Sequence, residues 1–391
     1  MRGLPIALLR WRFAILAGWS VATCWLAYQR NNDWFVFTFA ADLLVGRHHV
    51  LAGLGVPAAH PGGLHLYANY SFVQTGPAAL LPVEALRWLG PREGQYAGIA
   101  LIAMLGLACI WLVERLAIRR RADLAGVRTA SLAAGMLLVA VWSGLASQYE
   151  HVDDALALAA AVGAMLAVSR NRFVVAGLLV GFAAAAKPWA VGVVPILFAL
   201  PERRAQARAV VAALAVLAVA WMPFILADGR TIGAASSFPL PVVRTSVLAG
   251  FGVHQLTDPG IWRLLQFVLE MLCVAAVTRR RGASPAILAC GVARLVADPL
   301  YFAYYPAALV LGAVALDLTS PQMRPVPLAS LLAVLAWYPA SSLPASLQGL
   351  FRLLICLLLI ALVLFLAGGH DLRRKTPGKM WSPESAHDLH A

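Results

Sequence analysis

The densest group of chemically capable side chains is the run Gln148-Tyr149-Glu150-His151-Val152-Asp153-Asp154. On a helix Glu150 and Asp154 share a face, while Asp153 lies about a hundred degrees from Asp154. Such a cluster can hold a divalent cation through oxygen ligands or orient a hydroxyl. It can also mark a helix start, where acids are favoured. Lys187 interrupts an apolar run and precedes Pro188, so it sits at a kink. A lysine there can hold a phosphate as a point charge or snorkel to the membrane surface. Arg294 has Asp298 one helical turn further on; the two can pair or contribute to an anion site. Arg244, in the loop Phe238–Gly260, is another candidate cation for substrate. Tyr301 opens the stretch Tyr301-Phe302-Ala303-Tyr304-Tyr305, which reads as an interfacial belt or as a platform for a lipid or sugar ring. Asp33 lies between Asn32 and Trp34. A carboxylate partly shielded by aromatics can be tuned toward a general base, and Asp is equally a helix N-cap. His48, His49, His60 and His65 match no metal-ligand spacing.

The elements that must position these groups are membrane helices. The chain has 391 residues, 61% hydrophobic and 13% charged, against about 45–50% and about 25% in soluble domains. Only helices satisfy the backbone in apolar runs of this length, so an all-α polytopic fold is expected. A net charge of +13 would suggest nucleic acid in a soluble protein. Here the basic residues cluster between apolar runs, as topology determinants do, so no nucleic-acid partner is expected. Cys24, Cys109, Cys273, Cys290 and Cys356 fall within apolar runs and have no redox or metal spacing.

About 12 spans are expected, two of them short and separated by a break at Lys187-Pro188: Trp11–Tyr28, Gln95–Leu116, Ala130–Ser147, Val152–Ser169, Phe173–Ala186 (short), Trp189–Leu200 (short), Val210–Ala227, Ile261–Thr278, Pro285–Ala297, Tyr304–Leu316, Val326–Pro339 and Leu350–Ala367. The first resembles a signal peptide but lacks a convincing cleavage site and reads as a retained helix. Residues 29–94 form a long outer loop with interfacial helices. Within it Ser71–Leu89 is apolar but interrupted, and counting it as a span would throw every arginine cluster outward. Leaving it out puts Arg119-Arg120-Arg121, Arg170 and Arg172, Arg203-Arg204, Arg279-Arg280-Arg281 and Arg373-Arg374-Lys375 on the cytoplasmic side with both termini. Residues 1–368 then form one transmembrane domain, and 369–391 a polar, disordered cytoplasmic tail. The Arg- and Ala-rich composition suits the plasma membrane of a high-GC bacterium.

Carboxylates, cations and aromatics thus gather at one membrane face, which suits an amphiphile with an anionic headgroup. The pattern resembles the GT-C class of membrane glycosyltransferases, and within it the bacterial mannosyl- and arabinosyltransferase-type family (glycosyltransferase family 87-like). Three features carry the likeness: Asn32-Asp33-Trp34 near the start of a long outer loop; the run Gln148–Asp154, followed by a basic turn and the apolar run Ala176–Pro188; and Asp298–Tyr305 after a late span. Many relatives carry Gly-Gln-x-Asn where this chain has Glu150-His151-Val152-Asp153-Asp154. The resemblance implies a polyprenyl-phosphate sugar donor, a lipid or glycan acceptor, and inversion at the sugar. It makes Asp33 the base that deprotonates the acceptor hydroxyl. Lys187 and Arg294 would neutralise the leaving phosphate, and Glu150, His151, Asp153 and Asp154 would bind sugar hydroxyls or a divalent cation. The competing expectations are a transporter or lipid flippase, a non-catalytic membrane scaffold, and a lipid-headgroup acyl- or phosphotransferase using His151 and Asp153.

Overall fold

The computed structural model describes residues 9–29, 33–47, 62–120, 123–237, 241–320, 326–337 and 342–366. The expectations for Asn31-Asn32, His48, His49, His60, Arg121, Arg373–Lys375 and the tail fall outside the described residues. Helix is the only regular structure among those described. Helices of eight or more residues are numbered in order: α1 (Arg12–Ala27), α2 (Trp34–Leu44), α3 (Pro77–Arg87), α4 (Pro91–Ile118), α5 (Leu124–Ser143), α6 (Val152–Ser169), α7 (Phe173–Ala186), α8 (Arg203–Ala227), α9 (Pro259–Arg281), α10 (Ala286–Ala297), α11 (Pro306–Thr319), α12 (Leu328–Leu335) and α13 (Ala345–Leu366). A π-helical turn, Gly144–Gln148, extends α5, and a 3₁₀ run, Pro188–Ala199, follows α7.

Six helices are long and apolar enough to cross a membrane: α4, α5 with its π turn, α6, α8, α9 and α13. The chain is therefore a membrane protein by its helices, but the sequence expectation of twelve spans divides differently. Helices α1, α7, α10 and α11 have 16, 14, 12 and 14 residues, and α12 only 8, against about 20 for a full crossing. Their ends have local causes. Lys187-Pro188 stops α7, because proline cannot continue the hydrogen-bond ladder. Pro299 follows α10, and Pro306 opens α11 at its first turn. Helices α2 and α3 have 11 residues each, about 16 Å of rise, too short to cross. The segment expected as a long loop is thus helical in part among its described residues.

Helix α6 is the most buried of the six long helices and lies among α4, α7 and the 3₁₀ run. Helix α7 meets α8 through Gly177 and Gly181, where a Cβ would come within 2.0 Å of the Ala209 carbonyl and 2.5 Å of the Ala213 carbonyl. This small-xxx-small contact is how membrane helices approach backbone to backbone. Gly76 does the same at the other end of α7: its N–H donates to the Ala186 carbonyl at 2.9 Å, and a Cβ there would collide with Ala185.

The two ends of α6 differ in chemistry. At its C-terminus Arg115, Arg119 and Arg172 lie close enough to Arg170 to act on it electrostatically. Arg208 covers Phe173 and Arg279 covers Phe198 at the same ends of neighbouring elements. The acids and aromatics collect around the N-terminus of α6, about 27 Å away along an 18-residue helix.

Candidate functional site

A cavity of about 420 Å³ opens at that N-terminal end. It forms where short elements stop: the start of α2, the residues before α6, the break between α7 and the 3₁₀ run, the end of α10, and the start of α11. Helix α9 adds Arg263, Gln266 and Phe267, and the stretch before α3 adds Phe72, Gln74 and Thr75.

Asp33 occupies the N-cap position of α2 but makes no capping hydrogen bond. Its carboxylate instead meets His151, Nε2 to Oδ2 at 2.9 Å. The Asp33 side chain is 45% exposed, against 10% for His151, so the carboxylate faces the cavity. Tyr304 stacks on the imidazole, centroids 3.9 Å apart, and Phe37 meets it edge-on at 5.2 Å. The ring's Nδ1 lies 3.2 Å from Asp154 Oδ2 and 3.3 Å from Asp153 Oδ1. With carboxylates at both nitrogens, both must donate, which is the imidazolium form. Burial is the largest single influence and lowers the pKa; the hydrogen bonds to Asp153, Asp154 and Asp33 together outweigh it and raise it to about 10.

Lys187 lines the same cavity. Its Nζ is 2.5 Å from Asp153 Oδ2 and 3.3 Å from Asp154 Oδ2. Thr75 donates to Asp153 Oδ2 at 3.1 Å, and Trp189 Nε1 to Asp154 Oδ1 at 2.7 Å. Charges alternate along this series of contacts: Asp33, His151, the Asp153–Asp154 pair, Lys187. Ligand atoms of His151, Asp153 and Asp154 come within 4.8 Å of one another, close enough for a shared cation. The ammonium, indole and hydroxyl already on those oxygens are what such a cation would have to displace.

The facing wall carries Arg294, 8% exposed. Its guanidinium lies between Trp189 and Tyr305, 4.6 and 4.4 Å from their ring centroids. Its Nε is 3.8 Å from Asp298 Oδ2, too far for a hydrogen bond. Nε and Nη1 have no hydrogen-bond partner among the described residues. The expected turn-to-turn pairing with Asp298 is therefore loose, and unused donors stand in a cavity wall. Asp298 accepts instead from the Leu300 N–H at 2.9 Å and from Gln266 Nε2 at 3.3 Å. Arg263 Nη1 reaches Gln74 Oε1 at 2.7 Å.

The fold thus brings together Asp33, His151, Asp153, Asp154, Lys187 and Arg294, and leaves three candidates apart. Glu150 precedes α6 with φ +55°, so the face it was expected to share with Asp154 never forms. It is fully buried and accepts from Gln95 Nε2 at 2.9 Å. Arg244 is exposed and does not line the cavity. Tyr301 lies under the buried guanidinium of Arg352, 3.4 Å from its ring centroid; Tyr304 and Tyr305 take the cavity positions. Lys187 lines the cavity and pairs with the two acids. The sequence reading missed Thr75, Trp189, Arg263 and Gln266. Arg263, Gln266 and Glu270 recur at helical spacing along an apolar segment, a polar stripe that could have been found. Thr75 has no such signal.

No family model, curated protein or solved structure matches the chain.

Proposed function

We propose that the chain is a GT-C-like membrane glycosyltransferase. It moves a sugar, mannose or similar, from a polyprenyl-phosphate carrier to a hydroxyl on a lipid or glycan acceptor. The observation that carries this reading is the pairing, in one cavity, of a half-exposed carboxylate with a buried arginine that has unused donors.

Asp33 has one oxygen fixed by His151, which leaves the other to accept a proton. The acceptor hydroxyl gives its proton to Asp33 as its oxygen attacks the anomeric carbon. The bond from that carbon to the phosphate oxygen breaks on the opposite face, and configuration inverts. Charge develops on the departing phosphate, where Arg294 stands with Arg263 close by in the same wall; donors placed in advance at developing charge lower the barrier most. The imidazolium holds Asp33 oriented. Phe72, Phe267 and Phe302 in the lining suit the isoprenoid end of the donor. The cavity end faces outward, with the arginine-rich ends and both termini in the cytoplasm of a cell bounded by this plasma membrane.

The test uses protein in lipid nanodiscs offered a panel of polyprenyl-phosphate sugars, with release of polyprenyl phosphate as readout. Release with one donor, lost in Asp33→Asn, is expected; full activity in Asp33→Asn refutes the base. The rival reading, a transporter or lipid flippase, has one observation in its favour. Glu270 lies halfway down α9 with no exposed surface, and ionisable groups at such depth often mark a transport path. Lipid flux in proteoliposomes without any transfer would favour it.

A further inference from the structure

Glu270 has no part in the transfer chemistry, yet it is costly where it stands. Its side chain is fully buried in the middle of α9, and its Oε2 has no hydrogen-bond partner among the described residues. The fold makes room for it: a Cβ at Gly192 would come within 2.6 Å of that oxygen. The other carboxylate oxygen, Oε1, lies 3.3 Å from Gln266 Nε2, and the same amide reaches Asp298 Oδ2 at 3.3 Å. One amide therefore bridges a buried carboxylate to a cavity-lining one. The groups facing Glu270 are few. Gln266 and Cys273 share its helix, Cys290 and Arg294 come from α10, Asp298 follows α10, and the 3₁₀ run presents Gly192. Arg294, which also lines the cavity, is the cation among these groups, and its Nε and Nη1 have no hydrogen-bond partner among the described residues.

An anion in the cavity and a charged Glu270 both draw on the field of one guanidinium. We propose that Glu270 is the internal counter-charge of Arg294, so that anion binding in the cavity is coupled to a proton on Glu270. With Glu270 protonated, Arg294 is available to an anionic headgroup. With Glu270 ionised, its charge and that of Asp298 oppose the incoming anion through a low-dielectric wall. Linkage runs both ways: an anion on Arg294 promotes proton uptake at Glu270. This rests on reading the Arg294 wall as an anion site and needs no assumption about glycosyl transfer.

The probe is dibutyl phosphate, a phosphodiester singly charged throughout the range used. Its binding to the full chain in nanodiscs is followed by calorimetry between about pH 6 and about pH 9, with empty nanodiscs subtracted. Wild-type affinity is expected to fall about tenfold as pH rises, the linkage of a single proton. Glu270→Gln, which keeps the shape and the amide contact, is expected to change less than about threefold over the same range, and Arg294→Gln to lose binding at every pH. A wild-type pH slope retained in Glu270→Gln overturns the role of Glu270 while leaving the anion wall standing. Equal binding by wild type and Arg294→Gln, or none by wild type, overturns the anion wall and this inference with it. Release of polyprenyl phosphate from sugar donors, measured in parallel, reports on the transferase reading separately.

Discussion

Replacing Lys187 with methionine tests the alternating charges at the cavity. The ammonium is 10% exposed and faces two carboxylates that are 0% and 7% exposed. Removing one partner of a buried pair costs about 3–5 kcal/mol, because the remaining charge has neither water nor counter-ion. Asp154 keeps His151 and Trp189, and Asp153 keeps Thr75 and a 3.3 Å contact to His151, so both carboxylates retain donors. The lower end, about 3 kcal/mol, is therefore expected, roughly 5 °C in the unfolding midpoint of a chain this long. Adding Asp153→Asn removes the charge that Lys187 faced and should return stability to within about 1 kcal/mol of wild type. The assay is thermal unfolding of the four members of the double-mutant cycle in one detergent. A coupling below about 0.5 kcal/mol, the additivity limit for independent sites, would refute the placement of Lys187 against Asp153.

Asp33→Asn should lower transfer by about 10²–10⁴-fold, the range for a lost general base, with the unfolding midpoint unchanged; intact-protein turnover checks it. His151 titrates near pH 10 in the folded chain, above its ordinary value of about 6.5. Its contribution to stability is thus complete below about pH 6.5 and declines as pH rises through about 10; His151→Gln should flatten that decline in a pH series of melts. Gly177→Val places side-chain atoms against the Ala209 carbonyl and should separate α7 from α8, read as a lower midpoint and faster proteolysis. Gly76→Ala forces the Ala185–Ala186 backbone away and, because Thr75 and Lys187 flank that contact, should reduce transfer as well as stability.

The helices were legible because long apolar runs have one way to satisfy their backbone. Val152–Ser169 and Phe173–Ala186 fall where the sequence places them. The span count was legible only in part: the bounds read for α10 and α11, Pro285–Ala297 and Tyr304–Leu316, were already short, and six helices reach the length of a crossing. Within the site, Asp33 was ambiguous between cap and base. In the structure its carboxylate makes no capping hydrogen bond and meets His151 instead. Glu150 shows the limit of helical-wheel reasoning. Two residues before the helix, one positive φ turns the side chain out of the cluster. Lys187 was read as a cation at a break; its partners Asp153 and Asp154 lie 34 and 33 positions earlier in the chain, and spacing alone cannot reveal them.

The contact between Lys187 and Asp153 also bears on biogenesis. Helices α6 and α7 form a hairpin closed by Arg170-Asn171-Arg172, with Asn171 at φ +53°. The acids at the start of α6 leave the ribosome well before the lysine at the end of α7. Until the lysine arrives, the first arm carries unbalanced negative charge toward the lipid. Once both arms are present, the charges cancel at the same end, and the hairpin enters as a nearly neutral unit. Nascent chains ending at Arg172 should therefore leave a cysteine placed at Val152 open to water-soluble thiol reagents. Chains extended past Trp189 should protect it; equal labelling at both lengths would show that the first arm inserts by itself.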